Sequence, residues 1–343
     1  MKVFIVTRTE NALMADHVAE MADVIGPGCH LIEYGAGSST KIRSLLDHLR
    51  EPAAFVPIDI SGEHLVRAAD ELKASYPEIE ISPVVADFTG PFEIPAPTIK
   101  PSRKVVYFPG STIGNFTRAA ASNLLKEMAE RVGLGGGVLI GVDLDKDPEI
   151  LHAAYNDRKG VTAAFNLNLL VRLNREAGAD FSLSCFTHRA NYNADKSRIE
   201  MRLYSERRQS AEIAGHRFDF EAGESILTEY SHKYTVKSFG VIAGEAGFKT
   251  RQVWMDKDEL LSVQVALQPI ALADLTFEKH DLGHTVGLRC QFWIEHVPFR
   301  MRKSGEQIKG SISRASGVRV GDQVTDQRTL QQLGPVVNRP HFA

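Results

Sequence analysis

Cysteine is scarce in this chain of 343 residues, which contains only Cys29, Cys185 and Cys290. These residues lie far apart, are odd in number and lack the spacing of zinc ligands, so the sequence predicts neither a disulfide framework nor a zinc site. Neither His188 nor His232 has partners in the sequence that suggest a metal. We therefore expect no bound metal, and the cysteine pattern favours a reducing cytoplasm.

The sequence also lacks long apolar runs and a large excess of charge. No run reaches the roughly 18 apolar residues of a membrane span, and residues 1–10 lack the basic start and apolar stretch of a signal peptide. A net charge of −3, with 24% charged residues, creates no field that attracts polyanions. These absences predict a soluble, cytoplasmic protein that binds neither membrane nor nucleic acid, and we expect it to be a monomer.

Apolar and amphipathic segments alternate along residues 29–144, in the rhythm of a parallel sheet with crossover helices. Strands are predicted at residues 29–34, 54–60, 84–88, 104–108 and 137–144, and helices at residues 40–49, 63–76 and 119–132. The rhythm returns later, with a helix at residues 236–246 and strands at residues 250–255 and 261–267. The sequence therefore predicts a doubly wound α/β fold with a seven-stranded, mostly parallel sheet.

A different pattern interrupts this rhythm. Residues 147–177 have a helical pattern, and polar, alternating segments follow at residues 181–190, 198–205 and 217–220. We interpret this stretch as a small α+β insertion. The predicted organisation is a first part of the core (1–145), the insertion (146–234), the last helix and strands of the core (235–267) and a weakly ordered tail without sustained periodicity (268–343).

A glycine turn follows the first predicted strand. The segment Glu33-Tyr34-Gly35-Ala36-Gly37-Ser38-Ser39-Thr40 leads into a helix, where backbone can approach a ligand closely. A dinucleotide fingerprint would have a third glycine at position 40, so Thr40 disfavours a nicotinamide-dependent dehydrogenase, as does the lack of a Tyr-x-x-x-Lys set. The turn instead resembles the E/D-x-G-x-G loop of class I methyltransferases. This resemblance implies S-adenosylmethionine as cofactor, held by Glu33, Gly35, Gly37 and Ser38, although such turns also serve strand-to-helix geometry alone.

Two acidic residues follow at the ends of the next two predicted strands. Asp59 and Asp87 would lie at the carboxyl edge of the sheet, where doubly wound folds bind ligands. There Asp59 could accept hydrogen bonds from both ribose hydroxyls, and Asp87 could accept one from the adenine amino group. The alternative for Asp59 is a helix-capping or surface acid, although Ser61 competes for the capping position.

Five segments, of which the first contains the glycine turn, carry a family resemblance that runs in order over about residues 6–267. They are residues 31–41, Phe108-Pro-Gly-Ser-Thr-Ile-Gly-Asn-Phe116, Gly160-Val-Thr-Ala-Ala-Phe-Asn166, Arg198-Ile-Glu-Met201 and Leu227-Thr-Glu-Tyr-Ser-His-Lys233. Together they resemble the histidine Nα-methyltransferase family of ergothioneine biosynthesis. The resemblance implies a class I methyltransferase fold and three successive methyl transfers to the α-amino group of L-histidine, which give the betaine hercynine.

The resemblance also implies roles for individual residues, with the insertion as substrate domain. Asn115 and Glu229 would hold the imidazole with support from Ser231, Tyr155 would bind the substrate carboxylate, Gly110 would lie by the cofactor, and Met201 would line the pocket. No catalytic residue is implied beyond those that position the substrate, because a sulfonium methyl needs an aligned, unprotonated amine more than a strong base. The alternatives are a surface strand position for Glu229, a helix-surface position for Tyr155 and a plain core position for Met201.

The resemblance has one departure. Family members carry a segment upstream of Thr7-Arg8-Thr9-Glu10, with aromatic residues that close over the substrate, and the expected tyrosine is matched here by Phe4 or Ile5. Two alternatives therefore stay open: a methyltransferase for another small amine or amino acid, and a non-catalytic homologue that binds the cofactor.

Overall fold

Apolar runs form the central strands of this protein, and amphipathic segments form the helices beside them. The computed structural model describes residues 5–37 and 40–269. The helices are α1 (Ile5–Ile25), α2 (Thr40–Leu46), α3 (Gly62–Ser75), α4 (Arg118–Val132), α5 (Pro148–Tyr155), α6 (Val161–Glu176) and α7 (Val236–Glu245). The strands are β1 (Cys29–Tyr34), β2 (Ala54–Asp59), β3 (Val84–Val85), β4 (Arg103–Phe108), β5 (Gly137–Asp143), β6 (Phe186–Asn193), β7 (Arg198–Ser205), β8 (Gln209–Ile213), β9 (His216–Phe220), β10 (Ser225–His232), β11 (Lys249–Met255) and β12 (Leu261–Leu267). Short 3-10 helices span Thr112–Asn115, Leu183–Cys185 and Ala194–Lys196.

Seven strands make the central sheet in the order β11-β12-β5-β4-β1-β2-β3. Strand β12 pairs antiparallel with both of its neighbours, and the other pairings in the sheet are parallel. Every residue of β1, β2 and β5 is buried, as expected for strands covered on both faces. The predicted seven-stranded, mostly parallel sheet is confirmed.

The alternation of side chains along each strand supplies two separate cores. On one face, Leu31 of β1 packs in a cluster with residues of α1, α2 and α3, including Met21 and Leu45. On the other face, its neighbour Ile32 packs with residues of α4 and α7, including Leu125. Burying one such aliphatic side chain stabilises the fold by about 1.5–3 kcal/mol, so both helical layers are fixed on the sheet whose edge carries the site.

The insertion has its own sheet and core. Strands β10, β7 and β6 form a three-stranded antiparallel sheet, and β8 and β9 form a hairpin. Leu170 and Leu173 of α6 pack against Phe186 and Leu203 of this sheet. After β10 the chain returns to the central sheet, where Tyr234 forms a parallel bridge with Leu144. The exact domain limits given above stay predictions.

Some elements differ from the prediction. Helix α1 lies outside the predicted elements, although its buried residues Met14, Val18, Met21 and Ile25 have helical spacing. Strand β10 is likewise additional, and β3 has two residues in place of the predicted five (84–88). The predicted tail lies outside the described residues from position 270 onward. None of the helices described is long and apolar enough to cross a membrane.

Candidate active site

The carboxyl ends of four parallel strands carry the polar residues of the candidate site. Glu33 lies near the end of β1, Asp59 ends β2, Gly110 follows β4 and Asp143 ends β5. All three carboxylates are nearly inaccessible to solvent. Carboxyl ends of parallel strands meet at one edge of the sheet, which is the ligand edge of doubly wound folds.

The glycine turn is tied to the neighbouring strand through its backbone. Gly35 has a φ of 77°, a conformation that favours glycine, and its N–H donates to the carbonyl of Ile58 at 2.9 Å. The N–H of Ala36 donates to the same carbonyl at 3.0 Å, and that of Gly37 to the carbonyl of Gly35 at 2.8 Å. Ser38 lies outside the described residues. The turn between β1 and α2 is thereby held beside the end of β2.

The surroundings of Glu33 disfavour the ionised form of its carboxyl group. Burial raises the pKa of Glu33 to about 8; the Lys41 ammonium opposes this shift, whereas the carboxylates of Asp59 and Glu10 add to it. The carboxyl groups of Glu33, Asp59 and Glu10 thus share this part of the described site with the Lys41 ammonium. A ligand that carries positive charge would relieve the repulsion.

Glu10 of α1 belongs to the same cluster and is absent from the predicted site residues. Its carboxylate accepts the N–H of Gly110, at 2.7 Å to Oε1, and pairs with the Lys41 ammonium. A Cβ at Gly141 of β5 would overlap Oε1 of Glu10, so a glycine is needed there to admit the carboxylate. The sequence signal that could have identified Glu10 is its position at helical spacing from the apolar residues Leu13 and Met14.

Asp59 and Asp87 occupy different environments. Asp59 is 3% exposed, so it is not a surface acid, and its Oδ1 accepts the N–H of Ser61 at 2.9 Å. Ser61 precedes α3 but makes no side-chain capping bond. Asp87 lies in a turn beyond the short β3, where its Oδ1 accepts the N–H of Thr89 at 2.9 Å.

We expect Glu33→Gln to stabilise the ligand-free protein increasingly as pH rises. The folded-state pKa of Glu33, about 8, exceeds its ordinary value of 4.5, so the wild type has its full stability below pH 4.5 and loses stability as pH rises from there through 8. The neutral glutamine avoids this loss, which reaches up to about 4–5 kcal/mol near pH 9 at about 1.4 kcal/mol for each unit of the change in pKa. Urea unfolding of both proteins between pH 5 and pH 9 measures the difference. A difference that does not change with pH would contradict the assignment of the burial penalty to Glu33.

One face of the three-stranded sheet carries predicted substrate residues. Glu229 of β10 lies opposite Met201 of β7, and Ser231 lies opposite Ile199. Glu229 and Ser231 are two positions apart and therefore share this face of the sheet. Burial raises the pKa of Glu229 to about 7, and the positive charge of Lys233 limits the rise. A half-buried, desolvated carboxylate of this kind gains from a ligand that donates an N–H.

Tyr155 reaches this face from the end of α5. Its hydroxyl forms a hydrogen bond with the hydroxyl of Ser231 at 2.8 Å. It also accepts an N–H from the Lys233 ammonium at 3.0 Å, and Lys233 donates to Ser231 Oγ at 2.7 Å. The structure thus joins two predicted residues, Tyr155 and Ser231, through Lys233, which the sequence analysis missed.

Lys233 is fully buried and forms an ionic group with the buried Asp143 and the largely buried Lys146. Its ammonium donates to Asp143 Oδ2 at 2.5 Å, and Lys146 donates to Asp143 Oδ1 at 2.5 Å. Burial by itself would raise the pKa of Asp143, but the two ammonium groups hold that pKa below its usual value. Burial likewise opposes the charge on Lys233, but Asp143 more than offsets it, so the pKa of Lys233 lies above its usual value. The pair of Lys233 and Asp143 is therefore charged at neutral pH.

A second set of hydrogen bonds fixes the backbone of Tyr155. Asn166 of α6 is buried and its Nδ2 donates to Nδ1 of His188 at 2.9 Å. Nε2 of His188 then carries the proton and donates to the carbonyl of Tyr155 at 2.9 Å. Asn156 bonds both the N–H and the carbonyl of Ala190, each at 2.9 Å. The Asn166 motif thus acts on the site through His188.

Asn115 and Met201 are the remaining predicted pocket residues. Asn115 is exposed and ends the 3-10 helix at Thr112–Asn115. Its neighbour Gly114 lies against the end of β10, where a Cβ would come within 2.9 Å of the His232 carbonyl oxygen. Met201 is 3% exposed and packs in a cluster with Leu151 and Ile199, as a core residue does.

Known proteins resemble this chain over most of its described length. A family model described as histidine-specific methyltransferase, SAM-dependent, matches residues 1–268. A histidine N-alpha-methyltransferase from Mycolicibacterium smegmatis is 40% identical over 256 residues, which are 73% of this chain and 78% of that protein. The histidine N-alpha-methyltransferase from Mycobacterium tuberculosis is 37% identical over 257 residues, with the same two coverages. The solved structure of SAM-bound CalS10, an amino pentose methyltransferase from Micromonospora echinaspora, has a TM-score of 0.39 and 14% identity, covering 73% of this chain and 89% of that one.

Proposed function

The chain belongs to the family of histidine-specific, S-adenosylmethionine-dependent methyltransferases, and on that premise we propose that it methylates the α-amino group of L-histidine to give hercynine. The family resemblance predicted from the sequence segments is confirmed. The observation that carries the proposal is the presence of an anionic cluster around Glu33 together with a second polar group around Glu229, Ser231 and Tyr155. The first fits a cationic cofactor and the second fits an imidazole and a carboxylate.

The residues at the ends of β1, β2 and β4 fit the cofactor chemically. S-Adenosylmethionine, when bound, supplies a methyl group on a positively charged sulfonium and also carries an ammonium group. Glu33, Glu10 and Asp59 bring three buried carboxyl groups to this part of the described site, and a positively charged ligand would favour their ionised forms. We assign Asp59 to the ribose hydroxyls and the Gly35 and Gly110 backbone to close approach.

We also assign Asp87 to the adenine amino group of the cofactor, as the sequence analysis predicts. Both hydrogen bonds from Thr89, one from its N–H and one from its hydroxyl, go to Oδ1 of Asp87. This arrangement fixes the carboxylate in its turn and directs the assigned contact to Oδ2. The adenine end of the cofactor would then lie nearer to solvent than the sulfonium end.

The substrate end of the site offers hydrogen-bonding partners for histidine. Glu229 accepts an imidazole N–H, with Asn115 and Ser231 beside the ring, and Tyr155 donates to the substrate carboxylate. A substrate without an N–H at that place covers the half-buried Glu229 carboxylate without offering it a hydrogen-bond donor, which penalises other amino acids. These residues all come from one chain, so the proposal requires no second copy.

The proposed catalytic contribution is alignment. Methyl transfer needs the neutral amine in line with the sulfonium–methyl bond, and holding two reactants in that geometry lowers the barrier substantially. The amine loses one proton for each methyl group that it gains, and the final quaternary ammonium has none left to lose. The pocket therefore needs to hold the imidazole and the carboxylate in place while the amine gains methyl groups and loses protons.

The direct test is mass spectrometry of L-histidine incubated with the protein and S-adenosylmethionine. We expect products heavier by one, two and finally three methyl groups, with fragmentation that places them on the α-nitrogen. Methylation of an imidazole nitrogen, or binding of both ligands without any product, would refute the proposal.

We expect Asp59→Ala to weaken S-adenosylmethionine binding by about 1.5–3 kcal/mol, because hydrogen bonds to a charged group are lost. Asp59 also orders the turn at Ser61, so Asp59→Asn, which keeps an acceptor for that N–H, serves as the matched variant. Calorimetric titration with the cofactor measures both. Unchanged affinity in Asp59→Ala would remove this residue from the proposed site.

A further inference from the structure

Three polar side chains form a closed ring of hydrogen bonds in the proposed pocket. Lys233 lies 3.0 Å from Tyr155 Oη and 2.7 Å from Ser231 Oγ, and these two hydroxyls lie 2.8 Å apart. The third ammonium proton of Lys233 goes to Asp143. Lys233 itself is completely buried, so all its donors are used inside the protein.

The number of protons in the ring limits what it can offer to a substrate. An ammonium has three donors and no acceptor, so Tyr155 and Ser231 each accept one hydrogen bond from Lys233. The two hydroxyls have two protons between them, and their mutual hydrogen bond consumes one. One hydroxyl proton is then left to point toward a ligand.

We propose that Lys233 is a positioning residue that couples Tyr155 and Ser231 into a pair with one outward hydrogen-bond donor, directed to the substrate carboxylate. This inference rests on the function proposed above. In the structure Tyr155 donates to Ser231; when Tyr155 donates to a bound carboxylate instead, this hydrogen bond reverses and Ser231 donates to Tyr155. Ser231 then faces the imidazole as an acceptor, beside the acceptor Glu229.

The charge of the buried group supports the same assignment. Lys233 and Lys146 share the single carboxylate of Asp143, so the three side chains together carry one positive charge. Lys233 is the member that contacts both hydroxyls. An anion bound at Tyr155 is therefore placed next to a group whose three members carry a net positive charge.

Lys233 and Lys146 provide a matched pair of variants. Lys233→Met and Lys146→Met each remove one ammonium from Asp143 and leave one ion pair, so the net charge of the group falls by one in both. Only Lys233→Met breaks the ring. We expect it to raise KM for histidine by about thirtyfold or more, the effect of losing charge-assisted hydrogen bonds, with a smaller change in kcat. Lys146→Met should change KM by less than about threefold, because Lys146 donates to Asp143 and the Leu260 carbonyl and not to either hydroxyl. Equal changes in KM for the two variants would overturn the role of Lys233.

A second measurement keeps Lys233 intact and tests the shared proton. It compares Tyr155→Phe, Ser231→Ala and the double variant, with melting temperatures and cofactor affinity as controls for folding. Because the pair offers one outward donor, the double variant should lose no more than about threefold in kcat/KM beyond the less active single variant. Losses that multiply would overturn the coupling. Failure of the proposed function is distinguishable, because the wild type would then leave histidine unmethylated, whereas failure of this inference requires an active wild type.

Discussion

Asp143→Asn is expected to lower the free energy of unfolding by about 3–5 kcal/mol, because it leaves two buried ammonium groups without their carboxylate. Among the described residues, no other carboxylate forms an ion pair with Lys233. The introduced amide could accept a hydrogen bond but supplies no charge. Urea unfolding at neutral pH measures the loss. A loss below about 1 kcal/mol would show that the buried group is hydrated or neutral.

Two controls identify the cause of that loss. Lys146→Met in the Asp143→Asn background removes one of the unpaired cations and should restore part of the stability. The pKa of Asp143 is below its usual value of 3.8, so the stability that its charge provides is present at neutral pH and is lost as pH falls through the folded-state pKa. The difference between Asp143→Asn and wild type should therefore shrink in strong acid.

Glu229→Ala is expected to reduce kcat/KM for histidine by about 2–3 kcal/mol in transition-state terms, since a charge-assisted hydrogen bond to the imidazole is lost. Cofactor affinity should stay near that of the wild type. The preference for histidine over other amino acids should narrow by a similar factor. Turnover with a panel of amino acids, together with calorimetric titration of the cofactor, measures these effects.

Tyr155→Phe is the matched comparison for Glu229→Ala. It removes only the phenol hydroxyl, which is assigned to a carboxylate that every α-amino acid carries. Its effect should therefore be similar across the panel. Equal loss for all amino acids in Glu229→Ala, or loss of cofactor binding in both variants, would contradict the division of the pocket into imidazole and carboxylate ends.

The sheet could be predicted from sequence because its strands are apolar on both faces. Strands β1 and β12 have the predicted limits, and the acids Glu33 and Asp59 follow directly from their positions at strand ends. Strand β3 was predicted too long, and with it Asp87 was placed at a strand end. The structure puts Asp87 in a turn, because pairing with β2 involves only Val84 and Val85.

The contacts within the site depend on residues far apart in the chain, which periodicity alone does not relate. Glu10 accepts a hydrogen bond from Gly110, 100 positions away in the chain, and Lys233 donates one to Asp143, 90 positions away. Lys233 stands at the end of one of the family segments, but a lysine after a strand is usually solvated. Its burial follows from the return of the chain after β10 to the end of β5, a tertiary relation.

The most direct test of the proposed activity is a competition among amino acids for labelled methyl groups. The protein is incubated with an equimolar mixture of the common amino acids and methyl-labelled S-adenosylmethionine, and the products are analysed by mass spectrometry. Our account predicts label on histidine alone, at the α-nitrogen, in products that progress to the trimethylated form. Preferential label on another amino acid, or on none, would contradict it.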